Sequence, residues 1–143
     1  MLVNPAFRAG GTIQTSRFVK VDSTAGKDFQ AVQCANGTSP VIGISQDGSK
    51  RVPGVNSLTA ADTLIAAEAG DAVQIYGHGD VCLLTVGTAA DLTAGTLLMP
   101  DANGAAIAAT ATNYAGAISL ETAAKSTGSV TNLVRVQVVG YKL

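Results

Sequence analysis

The chain's only histidine, His78, sits in Gly77-His78-Gly79-Asp80, just before Cys82, one of two cysteines. An imidazole, a carboxylate and a thiol in one short stretch are the residue types of nucleophilic catalysis. There the imidazole takes a proton from the attacking group. The spacing argues against it. A histidine between two glycines at a turn faces water, whereas a catalytic base is held by a supporting shell. The ordinary reading is a structural or surface histidine. Zinc needs three or four suitably spaced ligands, and His78, Cys34 and Cys82 supply no recognisable set. Asp47, Asp80 and Asp101 adjoin glycines or an Asn-Gly turn, where aspartate ordinarily bonds nearby backbone. Asp101-Ala102-Asn103-Gly104 matches only the start of a calcium loop and lacks its later ligands. A carboxylate pair of the glycosidase kind is neither shown nor forbidden, and the scarcity of aromatics speaks against a sugar cleft. Gly77-His78-Gly79 lacks the further glycine and helix of a phosphate loop. The expectation is a protein that is not an enzyme, with no catalytic residue, no metal site and no cofactor.

The elements that would position these residues read as strands. Val73 and Ile75, then Val81 and Leu83, recur at every second position around the Gly77–Asp80 turn. This stretch reads as a β-hairpin whose four aliphatic residues form the centre of the core. Phe18–Asp22 and Phe29–Cys34 read as a second hairpin. Pro40 opens the short apolar run Val41–Ser45, in which Gly43 signals a bulge or a close backbone approach. Asn103-Gly104 is a strong hairpin turn between Leu97–Pro100 and Ala105–Thr110. Ala115–Leu120 follows, and Asn132–Val139 alternates best of all, with Val134, Val136 and Val138 on one face. Thr59–Ala69 allows one short helix with a capping-box-like start, or an extended lead-in to the next strand. A faint internal echo relates Val41–Ser45 and Ala72–Gly77 to Ala115–Ser119 and Val134–Gly140. The expected fold is all-β: a compact small β-barrel or β-sandwich, with at most one short helix. Residues 1–16 read as an extended N-terminal arm and 17–143 as the β-rich domain.

Composition limits the partners. The chain has 143 residues, of which 13% are charged, and a net charge of −1. Globular proteins carry about twice that fraction of charge. Low charge and small apolar side chains point to a subunit that covers surface against copies of itself or a partner. There is no clustered basic face for nucleic acid. Nor is there an apolar run long enough for a membrane helix or a basic-then-apolar signal peptide. With no secretion signal, Cys34 and Cys82 read as free buried thiols, a disulfide remaining open.

The order of these motifs resembles the head-decoration, or cement, proteins of tailed bacteriophages. The residues that carry it are Val41-Ile42-Gly43-Ile44-Ser45, Gly70-Asp71-Ala72-Val73-Gln74-Ile75, Gly79-Asp80-Val81, Leu92-Thr93-Ala94-Gly95-Thr96-Leu97-Leu98, Asn103-Gly104 and Ala115-Gly116-Ala117-Ile118-Ser119-Leu120. The resemblance spans roughly residues 18–139 and rests on short glycine-based motifs. It implies a non-enzymatic virion protein, made in the host cytoplasm, that binds the outer surface of the mature head. It would stabilise contacts between major capsid protein subunits, acting as a homotrimer or, less often in that family, a dimer. Leu2, Val3, Phe7, Arg8 and Ile13 of the arm would lie along the capsid, Arg8 and Arg17 pairing with its carboxylates. Ala105–Ala111 would pack against a neighbouring copy. The alternatives are a phage tail or fibre β-domain, a carbohydrate-binding module using Tyr76, Tyr114 or Tyr141, and a hydrolase with an unrecognised carboxylate pair.

Overall fold

A computed structural model describes residues 7–46, 65–88, 90–124 and 133–143. The fold is all-β, and no helix occurs among the described residues. The first half contributes β1 (Arg8–Ala9), β2 (Ile13–Gln14), β3 (Phe18–Val21), β4 (Gln30–Gln33), β5 (Gly43–Ser45), β6 (Ile65–Ala67) and β7 (Ile75–Tyr76). The second contributes β8 (Val81–Thr85), β9 (Asp91–Leu92), β10 (Leu97–Pro100), β11 (Ala106–Ala108), β12 (Tyr114–Ser119), β13 (Ala123–Ala124) and β14 (Leu133–Lys142). Within Thr59–Ala69, Ile65–Ala67 are extended, as the lead-in reading has it; residues 59–64 lie outside the described residues.

Each half builds one five-stranded sheet, in the orders β1-β4-β3-β5-β7 and β11-β10-β12-β14-β8. Both curl back on themselves. In the first, β1 runs parallel to β4 while Arg8 also bridges Ala72, just ahead of β7. In the second, β8 pairs with β14 while Val86 bridges Ala106 in parallel at β11. The ribbons β2–β6 and β9–β13 lie beside them.

The two halves are copies of one plan. The β3–β4 and β10–β11 hairpins correspond, and β5 and β7 add to the first as β12 and β14 add to the second. The register makes this residue-specific. Val19 pairs with Gly43 as Leu98 pairs with Ala117, and Ser45 with Ile75 as Ser119 with Val136. Six buried residues of the first half, Ala9, Ile13, Val19, Ala31, Ala67 and Val73, form one cluster. Their counterparts Val86, Leu92, Leu98, Ala106, Ala123 and Val134 all lie in a second, larger cluster. That cluster also takes in Phe18, Cys34, Val41 and Ile44 from the first half, so the halves share it. The sequence echo at Val41–Ser45 and Ala115–Ser119 is the legible trace of this duplication.

Two expectations are corrected. The Gly77–Asp80 turn forms, with the Asp80 N–H donating to Gly77 O (3.1 Å) and the Gly77 N–H to Asp80 Oδ2 (3.0 Å). The strands it joins do not pair, however: β7 joins β5 and β8 joins β14. The turn therefore carries the chain from one half to the other. Val81 and Leu83 are exposed, at 53% and 45%, while Cys82 and Leu84 are buried. Alternation separates two faces of a strand without saying which is inside, and a one-residue shift exchanges them. Here both faces are apolar.

Candidate contact surface

Of the expected arm, residues 7–16 are woven into the fold. The Arg8 N–H donates to Phe29 O (2.9 Å), and the Ala9 N–H to Asp71 O (2.8 Å). Ile13 is wholly buried and pairs with Ala67. Phe7 is half-buried against the same cluster. Leu2 and Val3 lie outside the described residues.

Arg17 turns inward. It is buried, and its Nη1 donates to the carbonyl of Asn103 (3.2 Å), which also accepts from Gln33 Nε2 (2.7 Å). Asn103 belongs to the β10–β11 tip, where Asp101 Oδ1 accepts the N–H groups of Asn103 (2.7 Å) and Ala105 (2.9 Å). Arg17 thus clasps the second half's hairpin to the first half, beside a polar pocket of about 260 Å³. Ala105 and Ala106, expected at a surface between copies, are buried as well.

Arg8 is exposed. With Asp28, Phe29 and Gln30 it lines an open depression of about 410 Å³. Phe29 was expected inside a strand. Instead it precedes β4 in the left-handed region, at φ 58°, with 68% of its surface exposed. A bulky residue in that region carries strain of roughly 1–3 kcal/mol. Its carbonyl is held toward β1 by the bond to Arg8, and the Gln30 N–H donates to Lys27 O (3.3 Å), so the turn imposes the conformation. An exposed phenyl ring beside a guanidinium is a surface suited to a protein partner, where aromatics and arginine dominate contact energies. No sequence signal marked Phe29 as exposed, because Phe29–Cys34 read as one continuous strand.

Among the described residues no three His, Cys, Asp or Glu side chains come together as a metal set. His78 Nε2 lies 3.4 Å from Val41 O, and its ring occupies the space a side chain on Gly140 would fill. Cys34 and Cys82 are free and buried, and burial pushes both thiols up to about 12.

No family model matches the chain, and no curated protein matches it. Among solved structures it is similar to the head fiber gp8.5 N base of bacteriophage phi29, at 15% identity and a TM-score of 0.49, covering 96% of this chain and 93% of that one. A likeness of that size is too slight to carry function.

Proposed function

We propose that this protein is a structural, non-enzymatic subunit of a bacteriophage virion. In this reading it binds the outer surface of the assembled head and braces contacts between major capsid protein subunits. The order of glycine-based motifs supports it, as does a composition poor in charge. The observation that carries it furthest is the Arg8–Phe29 surface. There a strained aromatic is held in water beside a cation, at the strand that opens the described fold. Binding only the mature lattice stabilises that lattice by mass action. Arg8 then meets a capsid carboxylate and Phe29 an apolar pocket between capsid subunits.

The test uses the full chain. Deleting residues 1–16 would remove Ala9 and Ile13 from the core, so point variants serve better. Phe29→Asn keeps a residue type that tolerates the left-handed region, and Arg8→Ala removes the cation. Both are expected to fold as the parent does while occupancy on mature capsids drops at least about tenfold, the cost of a modest hot spot. Wild-type occupancy by both variants would end the proposal.

A further inference from the structure

Among the described residues, the second half leaves one strand edge open. Thr85, the last residue of β8, donates its N–H to Ser16 O (2.9 Å), away from β14. Antiparallel pairing alternates residues whose main chain faces the partner with residues whose main chain faces away. The β8–β14 register runs unbroken from Thr85 to Val81. The N–H and C=O groups of Leu83 and Val81 therefore also point away from β14. Among the described residues no further strand pairs along this part of β8. The side chains on these two residues are exposed and aliphatic. Natural edge strands usually carry a charge, a proline or a bulge that blocks pairing; Val81-Cys82-Leu83 has none.

We infer that β8 pairs with β8 of a second copy of this chain, antiparallel about a two-fold axis through Cys82. In that register Val81 lies opposite the partner's Leu83 and Leu83 opposite the partner's Val81. Each of the two pairs exchanges both of its main-chain hydrogen bonds. Each also sets one exposed aliphatic side chain against another, a contact that stabilises sheets. The same face continues onto β14, where Arg135 flanks Leu83 and Gln137 flanks Val81. Across the seam the row reads Arg135, Leu83, then the partner's Val81 and the partner's Gln137, so no like charges meet. A net charge of −1 adds little repulsion between copies. Of the two self-assemblies that the resemblance to decoration proteins implies, this is the dimer. It does not rest on capsid binding, and its test needs no capsid.

Sedimentation of the full chain over a wide concentration range is expected to show the mass rise from 14.3 kDa toward twice that value. Amide exchange at Val81 and Leu83 slows in step with it. Leu83→Pro removes an N–H that β14 does not use, as proline at an edge strand does, and leaves a monomer at every concentration. Should that variant not fold, Leu83→Lys places a charge on the exposed side of the seam and gives the same loss. A monomer or trimer mass for the parent overturns the inference. So does a dimer retained in a folded Leu83 variant, or a dimer whose Val81 and Leu83 amides exchange as fast as in the monomer.

Discussion

Burial decides what Cys34 and Cys82 can do. Desolvation disfavours the thiolate, and it is the largest influence on both, raising each from an ordinary 9.0 to about 12. Only thiolates attack disulfide reagents at useful rates, so neither cysteine of the native protein is expected to react with one near pH 8, while both react in urea. The same shift links stability to pH. Below about 9 both states keep the protons and the cysteines add no pH dependence. Between about 9 and about 12 the unfolded chain has released protons that the folded chain retains. Stability therefore falls as pH rises through that window, and a chain with both cysteines replaced by alanine should fall less steeply. Urea titrations at several pH values check the slope. That both are buried was legible in the sequence, since free cysteine behaves as a small apolar residue. The inward turn of Arg17 was not. Its partner, Asn103, lies 86 positions away, and nothing local to Arg17 shows that the hairpin tip folds over it.

At the scale of elements, local rules worked where the pairing was local. The β3–β4 and β10–β11 hairpins stand where turn residues placed them, and Gly104 takes the left-handed conformation, at φ 72°, that the Asn-Gly turn uses. The Gly70–Gly87 stretch has equally good turn chemistry, but the choice between pairing across a turn and parting into separate sheets depends on distant strands. Gly43 shows the same division. A bulge or a close approach there was legible, and the structure has the close approach: a Cβ on Gly43 would run into Tyr76 O in the neighbouring strand. The clash is with backbone, which cannot swing aside, so Gly43→Ala must push β7 away from β5. The expected loss is about 1–3 kcal/mol, the usual cost of overpacking. It should appear as a lower urea midpoint. The duplicated position, Ala117, already holds an alanine. There the second half has the room the first half lacks, and Ala117→Gly should cost about 1–2 kcal/mol, glycine's strand-interior cost plus the loss of a buried methyl.

For the whole molecule the question is whether the two halves are two domains or one. Duplication alone would permit two, each with its own curled sheet. The cores argue for one. The inner cluster of the first half is half alanine, Ala9, Ala31 and Ala67 beside Ile13, Val19 and Val73. Such side chains bury little apolar area, and at about 25 cal/mol per Å² they supply little stability of their own. Meanwhile Phe18, Val41 and Ile44, on the other side of the same sheet, are buried in the cluster that belongs mainly to the second half. Phe18 is the hinge of this arrangement: a Cβ on Gly116 of β12 would come within 2.7 Å of its ring, so the glycine makes the room the phenyl occupies. Neighbouring Arg17 adds the polar clasp to Asn103. Removing the ring leaves a void between the halves that neither can close alone. Phe18→Ala is therefore expected to cost about 3–5 kcal/mol, a large share of the roughly 5–15 kcal/mol that holds a domain together. The loss should fall on both halves at once. In urea, the tyrosine signal and amide exchange at Val19 in the first half and Val134 in the second should follow a single transition, displaced to lower denaturant in the variant. Two separate transitions, with only the first half shifted by the substitution, would show instead that the duplicated units fold as independent domains.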